Sequence, residues 1–433
     1  MTELVIFAKE IGRDDDDRSF FIEFSSETPA GLSAVRPINI KIAEGLSIGS
    51  PVVVMDFVDG NGDFINHNKL DPSAIYFLRI GKHSGDFVQM ELKIAKIIMA
   101  NGSGGESRDV QFSVHFIQKN WDKMFGGTHQ KSWGDVLLSD VVSDIAESCG
   151  FENIDVSLTD GFYESVIQPQ WSNLSMLKWI KNRATPPTKE KSHFEFGVTT
   201  DGKFFFKSLS DILSENKRQI DNSELITLVM GGDELNAASR KLAIEENRDA
   251  PTFFVHYQGN ERFMDGIING TGGIKTSHFD FETGEYTTDD IFLSETSIVQ
   301  MSDWCAIKEE FEGTTFLSHH GRDTAGQDKD TIRMSNVINS LQQFDVVMTG
   351  APMIHIGTII ELIIPITPNV SADGASSIMP IAEYYSGFYL VSAANHSVNM
   401  EQGLSTTMLS LARTGSDGKD LEGYVKTKRG KFI

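Results

Sequence analysis

Two adjacent histidines, His319 and His320, followed by Arg322 and Asp323, are of types that could bind a metal or shuttle protons. Neighbouring side chains on a strand point to opposite faces, however, so the pair cannot easily share one ion. The run Asp59-Gly-Asn61-Gly-Asp63 carries the first three ligand types of a calcium loop. Phe64 stands where that loop needs glycine and Leu70 where it needs a glutamate, so the expected role is a solvated hairpin tip. The glycine runs Gly60-Asn-Gly62, Gly102-Ser-Gly104-Gly105 and Gly270-Thr-Gly272-Gly273 complete neither the dinucleotide spacing nor a phosphate loop, and read as turns. No His-Glu-x-x-His pair and no Gly-x-Ser-x-Gly elbow is read, so zincin and serine-nucleophile chemistry are not expected. Glu164 or Glu195 near Trp171 and Trp179 could work beside stacked sugar rings, although tryptophans of this kind are more often core anchors. With 61 carboxylates, a glycosidase pair can be neither picked out nor excluded. The expectation is therefore no catalytic residue, no metal and no cofactor.

The elements that would position these residues are mostly strands. Phe20 to Phe24, Val35 to Ile42, Val52 to Val58, Ile75 to Ile80 and Val88 to Ile98 are short apolar runs separated by Gly, Pro, Asn and Asp. Val110-Gln-Phe-Ser-Val-His-Phe116 alternates strictly, so one face of it must be buried. Without an intervening helical period, such a series suits a small barrel or sandwich. After Trp121 the pattern changes. Ser132 is the expected cap of a helix carrying Val136, Leu137, Leu138, Val141, Val142, Ile145 and Cys149, with Gly150 as its stop. A second helix opens at Ser172, turns Leu174, Leu177, Ile180 and Ala184 inward, and ends before Pro186-Pro187. Phe194 to Phe206 reads as a hairpin about the two-residue turn Asp201-Gly202.

Strands return from about Leu225, with candidates at Thr252 to Tyr257, Gly273 to Phe281, Phe344 to Met348 and Thr358 to Ile366. A third helix is expected near Asp330, with Ile332, Val337, Ile338 and Leu341 on one face. A hairpin at Asn399 to Gly403 joins the two closing strands. Leu46-Ser-Ile-Gly49 and Ile354-His-Ile-Gly357 each lead an Ile-Gly turn into an apolar strand, which makes two related barrels plausible. The resulting fold class is mainly β with α+β, comprising two related small β-barrels flanking and connected by α+β subdomains. The boundaries read as a first barrel over residues 1–120, an α+β domain over 121–224, a second barrel with an inserted segment over 225–414, and a flexible tail over 415–433.

Composition restricts the partners. The 433 residues carry 38 Lys plus Arg against 61 Asp plus Glu, a formal charge of −23, which favours neither DNA nor an anionic membrane. That charge either lines a channel, where it would repel passing phosphate, or only keeps the outer surface soluble. The acidic run Asp14 to Asp17 reads as a solvated loop. Cys149 and Cys305 sit among apolar neighbours, as buried inert thiols do. Neither a basic leader nor a long uninterrupted apolar stretch is present, so the reading is a cytoplasmic protein unless it is assembled into something that leaves.

The extended, Gln-bearing stretch Ser165-Val-Ile-Gln-Pro-Gln-Trp171 preceding the helix at Ser172 carries a resemblance. So do the C-terminal strands Gly387-Phe-Tyr-Leu-Val-Ser392 and Leu404-Ser-Thr-Thr-Met-Leu-Ser-Leu-Ala-Arg413. Together they resemble the central baseplate hub proteins of contractile-tailed phages, which are similar to the hub half of type VI secretion spikes. The resemblance implies tail-tube-like barrels and a homotrimer that adapts a six-fold tail tube to a three-fold central spike. Its implied partners are the spike protein, the tail tube protein and other baseplate proteins, with DNA passing through unbound and no membrane. After Gly415 no spike domain is expected, so the spike would be a separate polypeptide. The other functional class is a virion-associated protein that degrades or binds cell-wall polysaccharide.

Overall fold

A computed structural model gives the architecture. It describes residues 4–11, 20–27, 35–46, 48–60, 70–81, 87–100, 110–187, 193–209, 211–212, 226–230, 252–261, 274–279, 284, 286–291, 316–318, 342–349, 354–364 and 385–413. The expected helix near Asp330, the runs at Asp14, Gly102 and Gly270, and residues His319, His320 and Cys305 lie outside these.

The first strands are β1 (Leu4–Ile11), β2 (Phe20–Ser26), β3 (Arg36–Gly45), β4 (Val52–Asp59), β5 (Tyr76–Gly81), β6 (Phe87–Ala100) and β7 (Val110–Gln118). They form one antiparallel run in the order β1-β2-β5-β6-β7-β4-β3. The alternation of β7 gives the sheet one buried face: Phe112, Val114 and Phe116 are buried, while the residues between them are not. The sheet wraps around that face. Phe24, Tyr76 and Phe116 meet at ring separations of 5.4–5.8 Å, and Phe57 stacks on Phe112 at 5.3 Å.

The middle of the chain holds α1 (Asp122–Phe125), β8 (His129–Val136), α2 (Leu138–Cys149), β9 (Ile154–Val156), β10 (Tyr163–Trp171), α3 (Asn173–Lys181), β11 (Phe194–Val198) and β12 (Phe204–Ser208). Its core joins Val141, Ile145, Leu177 and Ile180 to Phe194 and Phe206. Ser172 caps α3 as expected, its hydroxyl accepting from the Ser175 N–H at 3.2 Å. Gly150 ends α2 with φ +87°. Ser132 does not cap α2. It lies inside β8, paired with Ile167 of β10, and the helix starts at Leu138. The orphan N–H groups are satisfied otherwise: the Asp140 carboxylate accepts from the Leu137 N–H at 3.3 Å, and Thr159 Oγ1 accepts from the Ser139 N–H at 3.0 Å. The β11–β12 hairpin is present, but its loop is longer than a two-residue turn. Thr199 and Lys203 still bond, and a turn over Thr199–Gly202 places Gly202 at φ +84°, which restores the strand twist that a plain turn would splay.

The third group comprises β13 (Ile226–Met230), β14 (Thr252–Glu261), β15 (Ile274–Phe279), β16 (Tyr286–Ile291), β17 (Phe316–Ser318), β18 (Gln342–Thr349), β19 (Ile359–Ile363), β20 (Gly387–Asn399) and β21 (Leu404–Arg413). Strands β15, β16 and β17 make a separate small sheet. The others close on themselves in the order β13-β19-β20-β21-β18-β14, through a parallel β13–β14 pair. Inside sit Leu228, Phe344, Val346, Leu362, Tyr389, Val391, Leu409 and Leu411.

Numbered by position within each group, the six strands β2, β3, β4, β5, β6, β7 and the six strands β13, β14, β18, β19, β20, β21 have the same lateral order, first-fourth-fifth-sixth-third-second. The chain is therefore mostly β, with two related units around an α+β centre. One closes; the other remains open beside β3. The units differ in one strand direction: β2 runs antiparallel to β5, whereas β13 runs parallel to β19. Gly49 and Gly357 both take positive φ, +86° and +81°, as a tight turn into a strand requires. Yet Gly49 feeds the third strand of its unit and Gly357 the fourth of its own. The turn echo is local, and the repeat lies in the strand order.

Candidate functional site

Among the described residues, those that the sequence offers for chemistry are not gathered into one site. Asp59 is fully buried rather than at a solvated tip, because β4 continues to it and pairs it with Val110. Glu164 is exposed on β10, whereas Glu195 is buried on β11 in a different sheet. Glu195 accepts from Lys181 Nζ at 2.5 Å and lies 3.6 Å from His193 Nε2. Burial pushes the Glu195 carboxyl up despite Lys181, and burial together with the Lys181 charge pushes His193 down to about 3. Trp179 packs against the α+β core with the Arg183 guanidinium 4.2 Å from its ring centre. These groups serve a buried ion pair and a core anchor. Cys149 is buried, its sulfur accepting from Asn173 Nδ2 at 3.2 Å, and burial raises its pKa, as an inert thiol requires.

Contrary to expectation, a Gly-x-Ser-x-Gly pattern is present at Gly45-Leu-Ser-Ile-Gly49. They connect the antiparallel strands β3 and β4, with no helix following, so they do not form a nucleophile elbow. A cleft of about 440 Å³ opens in the α+β unit beside Lys131, Trp133 and Asp144. Asp144 accepts from Trp133 Nε1 at 2.9 Å and pairs with Lys131, so these three side chains are engaged with one another. Among the described residues no group of His, Cys, Asp and Glu is placed to hold a metal ion, and no helix is long and apolar enough to cross a membrane.

What the fold does assemble is a joint between its three units. Residues Ala393–Asn399 of β20 pair antiparallel with Asn39–Gly45 of β3, so the two strand-repeat units share one continuous sheet. Leu46, Phe205 and Ile212 form a small core beneath it, with Ile356 and Leu390 against them, one or more from each unit. The α+β unit docks through the Val198 N–H, which donates to Gly49 O at 2.7 Å, and Leu46 N–H donates to Ser392 O at 3.0 Å.

A charge cluster sits in this joint. Glu44 of β3 is almost fully buried, with Oε1 3.3 Å from His355 Nδ1 and 3.8 Å from His396 Nε2. Thr200 of the α+β hairpin lies 3.2 Å from His355 Nδ1, and Thr407 Oγ1 lies 3.0 Å from His396 Nδ1. Burial alone would raise the Glu44 carboxyl, but hydrogen bonding to and charge on His355 and His396 hold it below its ordinary value. His355 moves the other way: burial opposes its charge, yet Glu44 and then Asp201 raise its pKa overall.

These shifts set a pH window. The raised His355 contributes stability that is complete below about pH 6.5 and fades as pH rises through its folded value. The lowered Glu44 contributes above about pH 4.5 and fades as pH falls through its folded value. The couple is thus strongest between the two. Because the His355 side chain keeps 36% of its surface exposed, solvent screening limits the effect to about 1 kcal/mol. Glu44→Gln is expected to flatten the unfolding temperature between pH 4.5 and 8 relative to the wild type. An unchanged profile would show that the cluster does not hold the joint.

No protein-family model matches the sequence, and no curated protein matches it. The fold does match solved structures. The 43 kDa tail protein of prophage MuSo2 from Shewanella oneidensis superposes with a TM-score of 0.54 at 10% identity, over 96% of this chain and 99% of that one. A tail protein from Neisseria meningitidis MC58 gives 0.53 at 11% identity, over 89% and 98%. A component of the E. coli type VI secretion system overlaps more loosely, at 0.45 and 9% identity, over 94% and 76%. The chain has the fold of phage tail proteins, in agreement with the resemblance carried by its C-terminal strands.

Proposed function

We propose that the chain is the structural hub of a phage tail baseplate. As a homotrimer it adapts the six-fold tail tube to a three-fold central spike and encloses part of the DNA channel. The observation that carries this reading is the repeated strand order: two equivalent units per chain, fused in one sheet by β3 and β20, give six equivalent units in three chains. The fold likeness to phage tail proteins along nearly the whole chain supports it. On this reading the chain divides at about residues 120, 224 and 414. Its partners are the spike, the tail tube and neighbouring baseplate proteins, and its place is the virion tail, assembled in the host cytoplasm. DNA passes without specific contacts, in keeping with a charge of −23 per chain. The role is architectural rather than enzymatic, and the burial of Glu195 by Lys181 and His193 weighs against the polysaccharide reading.

Native mass spectrometry of the purified chain at micromolar concentration is expected to give a mass of three copies. A stable monomer or a two-fold dimer would oppose the hub reading, and clearing of purified cell walls would favour the enzymatic one.

A further inference from the structure

The internal joint uses a particular pair of edges, and the same two kinds of edge occur once more in the chain, with no strand partner among the described residues. In the second unit, the fifth strand β20 outruns its neighbour β19: Gly387–Leu390 pair with β19, whereas Ala393–Asn399 pair with β3, the second strand of the first unit. In the first unit the fifth strand is β6. Its Phe87–Leu92 pair with β5, and Leu92–Ala100 pair with β7. Among the described residues, Lys96–Ala100 carry no ladder on the other edge. The second strand of the second unit is β14. Val255–Glu261 pair with β18, but the parallel partner β13 covers only Thr252–Val255, so no described strand pairs with the other edge of Gln258–Glu261.

The two units can be aligned residue by residue because both fifth strands bulge at the same place. The β6–β7 ladder shifts register between Ile94 and Lys96, and the β20–β21 ladder between Val391 and Ala393. Lys96–Ala100 therefore correspond to Ala393–Ser397. Following the ladders through β7 and β4, and through β21 and β18, Lys41 of β3 corresponds to Gln258 of β14. The burial at these positions differs sharply. Ala394 and His396 are 2% and 3% exposed inside the joint, whereas their counterparts Ile97 and Met99 are apolar and 41% and 55% exposed. An open apolar strand edge of this kind is normally covered.

We propose that β6 of one copy adds to β14 of a second copy, repeating between chains the joint that β20 and β3 make within one. The transferred register is antiparallel, with Ile97 opposite Glu261, Ile98 opposite Asn260, Met99 opposite Gly259 and Ala100 opposite Gln258. Every chain then offers one edge of each kind, which is a head-to-tail contact that closes into a ring or runs on as a filament. The proposal rests on the trimeric reading and specifies which strands make its contacts.

Two full-length variants test it. Ile98→Cys with Asn260→Cys places the two thiols directly opposite each other between copies, within disulfide reach. Ile98→Cys with Gln258→Cys places them two residues out of register, about 7–8 Å apart and out of reach. Under mild oxidation the first pair is expected to give roughly tenfold more interchain cross-link than the second or either single cysteine. Ile97→Asp with Met99→Asp is expected to weaken association about a hundredfold or more, because both side chains would be desolvated in the joint. The unfolding temperature of the separate chain should hold, since both positions are exposed there. A trimer that survives the aspartates and forms no cross-link overturns the proposal while leaving the trimer standing. Loss of the trimer without a cross-link overturns the stated register. Cross-linked chains longer than three support the joint and overturn the trimer, whereas a wild type that stays monomeric and uncross-linked overturns both.

Discussion

Leu177→Asp is expected to remove the protein from the soluble fraction. Leu177 is fully buried on α3, within the core cluster that also holds Val141, Ile145, Ile180, Phe194 and Phe206. Deleting a buried leucine side chain alone costs about 2–5 kcal/mol. A carboxylate with no cation beside it adds a desolvation penalty of several kcal/mol more, or neutralises at a similar cost. Against a domain stability of roughly 5–15 kcal/mol, the α+β unit would not fold. Leu177→Met, which conserves volume, should cost under about 1.5 kcal/mol and serves as the control. Soluble Leu177→Asp protein with a wild-type unfolding temperature would show that the buried face of α3 is misassigned.

Gly197→Val should pry the α+β unit from the first strand-repeat unit. A Cβ at Gly197 would lie 2.6 Å from Gly49 O and 3.1 Å from Gly49 C, both backbone atoms that cannot swing aside. The next residue, Val198, donates its N–H to that same Gly49 O at 2.7 Å, so relief of the clash breaks the bond that docks the hairpin. Gly49 is itself held: at φ +86°, its own Cβ position faces the Trp121 ring at 2.6 Å. Overpacking of this kind costs about 1–3 kcal/mol, and the lost hydrogen bond about 1 more. Urea denaturation followed by tryptophan fluorescence should show a lower midpoint, and limited proteolysis should cut the chain near the freed hairpin. An unchanged midpoint would mean that the two units are not in contact at Gly49.

The strands and α3 were legible in the sequence because their signals are local. Period-two burial in Val110–Phe116, the Ser172 cap and the Gly150 stop each depend on residues within a few positions. The start of α2 was misread for the complementary reason. Ser132 has the chemistry of a cap, but its strand partner Ile167 lies in β10, and of the two groups that serve the helix start, Asp140 and Thr159, the second comes from a later loop. The pair of Ile-Gly turns suggests a repeat but does not carry it, because the two turns enter non-equivalent strands. The strand order that establishes it depends on ladders whose partners lie far apart in the chain, and no local pattern encodes these. The joint was hidden altogether. Glu44 looks like an ordinary strand carboxylate, and its partner His355 lies 311 residues away. The exposed Ile97 and Met99 read as part of a strand, but only the pairing of the whole sheet reveals that no strand among the described residues covers their edge.

On the proposed reading, three chains present six equivalent strand-repeat units in a ring. Electron-microscopy class averages of the purified full-length chain test it most directly. A three-fold particle with six barrel-sized densities around a central opening is the expected result. Averages showing only single two-barrel particles, or a two-fold dimer, would contradict it.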